Sequence, residues 1–373
     1  EPIRRFTLSY GNGSQFGQSL DIGERFGKNK EYGMRINLAH RKGNTSFDRE
    51  KQETTGVAVA LDVRRNKWRA SLDVGCLHRE FKNPTVPLLM TNPVIASLKS
   101  LPRLSSNSLN LADNGAYLNA TERYGLLRGD YDFDSNWSAY AAVGLRNSTQ
   151  DSFTNSFMIN NVNGNAALRL STNARESRAN TEEVGVKGKF QTGDLKHEMT
   201  AAFNRTNWTS YKDAGSTLRS YTTNFYNINL RDAQSFAKLP VAWSGEYTLS
   251  GFALTDVITV PNEKWQFILG ARYQKIKGEQ IRRDLVLGGG YHYDEAAWSP
   301  AYAILFKATP KVSLYATYIQ GLQEGEQADR WSLNAGEVFA PFKTKSTEAG
   351  VKFDLGKFAT SLSVYELEKP TTT

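Results

Sequence analysis

The chain has 373 residues, of which 39% are hydrophobic, and its mean hydropathy is -0.51. No stretch approaches the roughly 18 consecutive apolar residues that a membrane-spanning helix needs, so a helical membrane protein is excluded. The formal net charge is +8, with Lys and Arg interleaved among Asp and Glu and no long basic run. This distribution argues against nucleic acid as a partner, whereas the positive excess suits an anionic ligand or lipopolysaccharide.

Apolar and polar side chains alternate over most of the chain. Within a segment, residues of one parity, either the odd or the even positions, are apolar, and residues of the other parity are polar or small. This two-residue period is typical of β-strands with one apolar face. Clear examples of the apolar set are Tyr32, Met34, Ile36 and Leu38; Trp68, Ala70, Leu72, Val74 and Cys76; and Trp265, Phe267, Leu269, Ala271 and Tyr273. The pattern predicts an all-β chain.

The period predicts about 15 strands in chain order. They fall at 3–10, 16–26, 31–43, 53–65, 67–82, 119–133, 137–149, 178–191, 195–209, 242–259, 264–280, 291–308, 311–321, 345–356 and 357–369. Most reach the roughly 9–11 tilted residues that cross a bilayer, whereas soluble strands are commonest near 5–6 residues. So many long strands do not fit a soluble sandwich. The predicted fold is a transmembrane antiparallel up-and-down β-barrel.

The predicted connections alternate between short and long. Short turns fall at Gly27–Glu31, Arg65–Lys67, Asp134–Asn136, Thr192–Asp194, Pro261–Glu263, Thr309–Lys311 and Gly356–Lys357. Long polar connections fall near 83–118, 150–177, 210–241 and 322–344. Outer-membrane barrels sort their connections in this way, because their periplasmic turns are short and their extracellular loops are long.

Aromatic residues cluster beside the short turns. They are Phe26, Tyr32, Trp68, Phe133, Trp137, Phe190, Trp265, Phe306, Phe353 and Phe358. Amphipathic rings prefer the headgroup level of a bilayer, so the row predicts an interfacial girdle, the alternative being core aromatics at sandwich strand ends. The other parity carries mid-strand charges, which in a barrel would line a hydrated lumen. These are Arg35, Asp73, Arg272, Lys352 and Asp354.

Two regions of the chain resemble a known family. The segment TLSYGNGSQFGQSLDIGERFGKNKEYGMRINLAHRKGNT resembles the first barrel strands of TonB-dependent siderophore receptors, just after their plug domain. The segments KVSLYATYIQGLQEG and NAGEVFAPFKTKSTEAGVKFDLGKFATSLSVYELEKP resemble later barrel strands of the same family. The matches lie in the right order and at the right spacing.

The resemblance implies a ferrichrome-type receptor of the bacterial outer membrane. Such receptors have barrels of about 22 strands, closed by an N-terminal plug that carries a short energy-coupling segment. Neither plug nor coupling segment is present, and about 15 of those strands are predicted here. We therefore expect residues 1–373 to be the partial barrel domain of such a receptor, with the plug before Glu1 and the closing strands after Thr373.

Ligand binding is expected rather than catalysis. Motifs such as G-x-S-x-G or a P-loop are absent from the sequence, and its four histidines show no metal-ligand spacing. We expect no enzyme activity, no metal site and no cofactor, since iron would enter only within a transported complex. Aromatic rings can grip flat iron–siderophore complexes. The candidates at predicted outer strand ends and loops are Trp208, Tyr211, Tyr291, Tyr293 and Trp331, with rim or loop packing as the alternative role for each.

The expected function is TonB-dependent import of a ferric siderophore. The expected partners are the ferric siderophore, the TonB complex acting through the plug, and outer-membrane lipid with lipopolysaccharide. We expect no nucleic acid partner and a monomeric receptor. Two alternatives stay open at this point: a passive porin-like diffusion channel, and a structural or adhesin-type barrel.

Overall fold

A computed structural model describes residues 2–11, 14–86, 88–97, 106–213, 216–232, 240–282, 289–328 and 332–370. They form seventeen strands and one short helix, α1 (Asn92–Ser97). The strands are β1 (Ile3–Gly11), β2 (Gln15–Phe26), β3 (Tyr32–Asn44), β4 (Lys51–Arg65), β5 (Trp68–Lys82), β6 (Leu88–Met90), β7 (Tyr117–Asp132), β8 (Trp137–Ile159), β9 (Asn165–Thr192), β10 (Leu195–Lys212), β11 (Ser216–Asn224), β12 (Ala242–Thr259), β13 (Trp265–Arg282), β14 (Gly289–Thr309), β15 (Val312–Gln323), β16 (Phe342–Asp354) and β17 (Ala359–Glu368). Within these ranges, no helix is both long and apolar enough to cross a membrane.

Every strand except β6 and β11 belongs to one antiparallel meander. Each of these strands pairs with the next along the chain, from β1 with β2 to β16 with β17. Among the described residues, β1 pairs only with β2 and β17 only with β16, so the barrel is not closed. The prediction of an antiparallel up-and-down barrel wall is confirmed, and the predicted tight turns all lie at one end of the sheet. The connections at the other end are both short and long, since β1 and β2 are joined there by residues 12–14.

The register places all the predicted apolar residues on one face of the sheet. Leu20, Leu38, Val57 and Cys76, for example, form one row across four neighbouring strands. Large side chains on this face stay strongly exposed, as Leu127 is at 56%. A soluble monomer rarely exposes a contiguous apolar patch of more than a few hundred Å². The face therefore packs against lipid rather than against protein.

The predicted aromatic row lies on this apolar face, beside the tight turns. Phe26 stacks on Tyr32 with ring centroids 5.8 Å apart, and Trp265 stacks on Phe306 at 4.2 Å. Trp68 is 63% exposed although Tyr131 lies 4.6 Å away. Rings that contact each other but remain open outward have the arrangement of an interfacial girdle.

The opposite face carries ion pairs formed within the sheet. The guanidinium of Arg35 donates to both carboxylate oxygens of Asp21 at 2.8 Å, and the Arg25 Nη1 lies 2.8 Å from Asp62 Oδ1. Arg128 pairs with Asp130 at 2.9 Å in the same way. Bidentate pairs of this kind fix the side chains in place, so this polar face is an ordered wall of alternating charge.

The prediction of a long loop at 150–177 is wrong. Strand β8 continues to Ile159 and β9 begins at Asn165, so the segment is a hairpin that extends beyond the wall. Phe153 and Phe157 of this hairpin are at most 3% exposed, because β6, α1 and β11 cover them. The described residues within 83–116, together with 150–175 and 216–232, thus form an outer lobe with its own apolar core.

A buried carboxylate holds the outer lobe together. Asp113 is 1% exposed and accepts a 2.6 Å hydrogen bond from the hydroxyl of Tyr221, while the Arg231 guanidinium lies over the Tyr221 ring at 4.1 Å. Burial, followed by the hydrogen bond to Asp113, raises the pKa of Tyr221. The hydroxyl therefore remains a donor, and the contact ties β11 to the 83–116 segment.

Charge on the apolar face is expected to be far more costly than charge on the polar face. Val59 and Ala58 are adjacent in the middle of β4 and point to opposite faces. We expect Val59→Arg to destabilise the protein in lipid vesicles by about 2–4 kcal/mol, because arginine at the bilayer midplane loses its hydration. Ala58→Arg should cost less than about 1 kcal/mol, since lumen-facing substitutions are hydrated. Chemical denaturation of both variants measures this difference, and equal losses would contradict the assignment of the faces.

Candidate ligand site at the outer end of the sheet

Three aromatic side chains meet on the polar face near the outer ends of their strands. Trp208 of β10 lies directly across from Tyr247 of β12, and their rings stack with centroids 5.7 Å apart at 30°. Tyr247 in turn packs against a buried cluster formed by Ile276 of β13 and Tyr293 of β14. The ring of Tyr247 also lies over Gly278, where an added Cβ would be 2.6 Å from a ring carbon. A glycine at this position therefore lets the tyrosine lie flat on the sheet.

Tyr293 positions the connection that follows β15. Its side chain is 1% exposed, and its hydroxyl accepts a 3.0 Å hydrogen bond from the backbone N–H of Gly325. Burial raises the pKa of Tyr293, so the group stays neutral. Beyond Gly325 the chain doubles back, since Phe339 N–H donates to the Glu326 carbonyl at 3.0 Å. The described residues 324–328 and 336–341 thus run antiparallel to each other beside the aromatic group, and we call this pair of segments the hairpin.

A cleft opens between this hairpin and the aromatic group. Its volume is about 470 Å³, and Tyr247 forms part of its wall. The remaining lining residues are Gln280, Gln323, Glu324, Gly325, Glu326 and Gln327. Ligand sites commonly combine a ring surface with a few polar groups that fix orientation. This cleft offers amide donors and acceptors, carboxylate acceptors and one tyrosine ring.

Of the five predicted site residues, the structure describes the side chains of three, and it does not bring these three together. Trp208 and Tyr293 are brought together through Tyr247. Tyr211 lies on the other face of the sheet, in register with Glu176, and its ring is 5.2 Å from the Arg178 guanidinium. Tyr291 lies on β14 opposite Gln280, but its side chain is outside the described part of the structure.

Trp331 also lies outside the described residues. Elsewhere in the chain, the described side chains of His, Cys, Asp and Glu form no group of three or more that could hold a metal ion.

Tyr247 is the site residue that the sequence analysis missed. A signal for it was available, because Tyr247 has the parity of the polar face and lies opposite both Trp208 and Gly278 in the register. Aromatic residues facing glycine across neighbouring strands are a known stabilising pair. Finding it required the register between β12 and β13, however, which the alternation of a single strand does not give.

A family model described as "TonB dependent receptor-like, beta-barrel" matches residues 82–369. The chain belongs to this family. Its members are receptors of the bacterial outer membrane, which places this chain there and confirms the predicted localisation. The family consists of receptors and transporters. Its siderophore receptors bind ferric siderophores and interact with TonB.

Individual relatives agree with this assignment. The ferrichrome receptor FcuA of Yersinia enterocolitica is 28% identical to the chain over 379 residues, covering 99% of this chain and 49% of FcuA. The solved structure of BauA, the ferric preacinetobactin receptor of Acinetobacter baumannii, is 30% identical and superposes with a TM-score of 0.87 over 100% of this chain and 55% of BauA.

More distant relatives share the fold. The pyoverdine receptor FpvA of Pseudomonas aeruginosa PAO1 has a TM-score of 0.79 at 15% identity, over 99% of this chain and 54% of FpvA. The chain spans about half the length of the relatives that it matches most fully.

The hairpin over the cleft is expected to depend on Gly325. An added Cβ would lie 2.0 Å from the carbonyl oxygen of Phe339 and 2.5 Å from that of Ala340, and neither backbone atom can move alone. We expect Gly325→Ala to displace the hairpin at a cost of about 1–3 kcal/mol. Deuterium uptake across 324–340 should then become faster than in the native receptor.

The matched control is Gly129→Ala. Gly129 also lies on a strand of the wall, but an added Cβ would meet nothing within 4 Å. Deuterium uptake of the Gly129→Ala variant in the 324–340 segment should equal that of the native receptor. Unchanged uptake in Gly325→Ala would show that the contact with Phe339 does not hold the hairpin.

Proposed function

We propose that the chain forms part of the wall of a TonB-dependent receptor that imports a ferric siderophore through the outer membrane. The observation that carries the proposal is the stacked pair Trp208–Tyr247 beside a cleft of about 470 Å³ at the outer, polar side of the sheet. In this proposal the two rings contact the complex and Tyr293 holds the hairpin that borders it. FcuA is a ferrichrome receptor and BauA is a ferric preacinetobactin receptor, which supports a ferric siderophore as the ligand of this chain.

In this proposal the polar face lines the path that the iron complex follows away from the cleft. Its arginine–carboxylate pairs run along the inner halves of β2 to β7, as in Arg35–Asp21 and Arg25–Asp62. A wall that presents both signs of charge in fixed positions can bind a folded polar partner, and in the proposal that partner is a plug domain. The TonB complex would act on this plug through its coupling segment.

We propose that residues 1–373 are part of the barrel domain of a longer receptor. The support is that the chain matches about half of FcuA and of BauA, and that β1 and β17 each have a single neighbour among the described strands. Unpaired backbone at a sheet edge in lipid costs several kcal/mol per group, so further strands would be needed to pair both edges.

The proposed function needs neither catalysis nor a resident cofactor, because iron would pass through as part of its complex. The function requires lipid against the apolar face of the sheet. A single barrel is sufficient for import, so we propose that the receptor is a monomer. The matched relatives are receptors, which favours energy-coupled import over a porin-like channel or a structural barrel.

Loss of the stacked rings is expected to weaken ligand binding. We expect Trp208→Ala and Tyr247→Ala each to raise the Kd for a bound ferric siderophore by roughly tenfold, because one aromatic contact of this kind contributes about 0.5–1.5 kcal/mol beyond the area that it buries. The measurement is quenching of receptor fluorescence during titration of the full-length receptor with a panel of ferric siderophores. Growth on the same siderophores under iron limitation, with and without the gene, identifies which of them is imported.

Tyr211→Ala is the matched control, since Tyr211 lies at a similar height on the opposite face. Its Kd should equal that of the native receptor, and this also tests the prediction that Tyr211 binds the ligand. If no ferric siderophore supports growth through the receptor, import is wrong. If growth occurs but both ring variants bind normally, import stands and the proposed site is wrong.

A further inference from the structure

The rings of the candidate ligand site belong to a longer row of side chains across the polar face. The register continues this row from Trp208 through Ala179 of β9 to Arg146 of β8 and Tyr124 of β7. Ala179 contributes only a methyl group between Arg146 and Trp208. Neighbouring strands lie about 4.8 Å apart, so the backbones that carry these two side chains are about 10 Å apart. A ligand that stacks on the indole ring therefore comes within reach of the Arg146 guanidinium.

Arg146 shares its carboxylate partner with a second arginine. The Nη2 atom of Arg146 lies 3.3 Å from Glu122 Oε1, and the Nη2 atom of Arg79 lies 3.6 Å from the same oxygen. One carboxylate thus faces two guanidinium groups, which leaves one positive charge without a counter-charge. The side chain of Arg146 is 55% exposed, so it can still donate hydrogen bonds to a ligand on the polar face.

Further cations lie in the row of Arg79, toward the outer end of the sheet. This row also contains Arg41 of β3, Arg175 of β9 and Lys212 of β10. Within the described part of the chain, no carboxylate lies within ion-pair distance of these three cations. From β3 to β10, the row of Arg79, the row of Arg146 and the row between them carry five cations and one carboxylate, which leaves an excess of four positive charges. The six residues are Arg41, Arg79, Arg146, Arg175, Lys212 and Glu122.

This excess is confined to one sector of the polar face. Nearer the tight turns, arginines have their own carboxylates, as Arg128 has in Asp130. On the other side of the stacked rings, the cleft is lined by Glu324 and Glu326. The positive sector therefore lies on the β8 side of Trp208, and the carboxylates lie beyond Tyr247.

We infer that the imported ligand is an anionic iron complex and that Arg146 determines this specificity. One ring of the complex contacts Trp208, and a carboxylate or catecholate oxygen of its iron-binding groups accepts hydrogen bonds from Arg146 across Ala179. Guanidinium groups bind such oxygens through short, charge-assisted hydrogen bonds. The surrounding cations raise the local concentration of an anion at the polar face. The inference rests on the proposed import function and adds the charge of what is imported.

The test titrates the full-length receptor with two probes of different charge and follows fluorescence quenching. One probe is a trianionic ferric tris-catecholate, and the other is a neutral ferric tris-hydroxamate of similar size. We expect the native receptor to bind the anionic probe more tightly, and this preference to shrink as salt is added, because salt screens exposed charges. Arg146→Gln should bind the anionic probe roughly tenfold more weakly and the neutral probe as before. Arg146→Lys keeps the charge and should restore most of the affinity for the anionic probe.

Glu122→Gln separates ligand binding from a merely structural role of the ion pair. It removes the negative charge and frees both arginines, so we expect the anionic probe to bind roughly two- to fivefold more tightly. Loss of a structural pair would instead weaken binding in both Glu122→Gln and Arg146→Gln. The matched control is Arg178→Gln on the outward face of β9, where Arg178 pairs with Glu176 at 2.7 Å. This control loses a comparable ion pair and should change neither Kd.

Growth under iron limitation distinguishes failure of this inference from failure of the proposed function. The cells carry the receptor and receive anionic catecholate or carboxylate complexes of iron, or neutral hydroxamate complexes. The inference is overturned, and import stands, if only neutral complexes support growth, if Arg146→Gln binds the anionic probe normally, or if Glu122→Gln weakens binding of that probe. If no ferric siderophore supports growth through the receptor, import is overturned and the inference falls with it.

Discussion

Strands that cross lipid have to satisfy every backbone N–H and C=O by pairing with a neighbouring strand, because the bilayer core offers no water. In this chain that constraint produces an uninterrupted antiparallel meander, with each strand bonded to the next. Pairing fixes the register, and the register fixes which side chains share a face. A shift of one residue in any strand would move its apolar set into the polar interior. The division into two faces therefore depends on the ladder as a whole.

The two faces account for where the functional surfaces lie. On the outward face, side chains change in order from girdle aromatics at Trp68, through the apolar band, to lysines at Lys82. On the inward face, ion pairs lie near the tight turns, and the rings of Trp208 and Tyr247 lie near the long connections. Above the sheet, the outer lobe is the one large part of the described structure with a protein core. It can fold against itself because it lies outside the lipid.

The sequence predicts the wall well and the outer regions poorly, for a physical reason. Alternation and strand length are local, so the strand pattern, the tight turns and the apolar parity could be read from single segments. The hairpin at 150–177 was missed because its Asn, Ser and Thr content is typical of loops. Its buried residues nevertheless alternate at Phe153, Asn155, Phe157 and Ile159. Tyr247 and the cleft depend on contacts between distant segments, which a single sequence does not reveal.

The central claim is that the two parities of each strand face lipid and water respectively. Spin labels on single cysteines at successive positions 56–61 of β4, introduced into the full-length receptor with Cys76 replaced by alanine, test it most directly. Labels at Val57, Val59 and Leu61 should collide with oxygen dissolved in the bilayer, and labels at Gly56, Ala58 and Ala60 should collide with a water-soluble nickel complex. Equal accessibility at both parities, or the reverse alternation, would contradict the account.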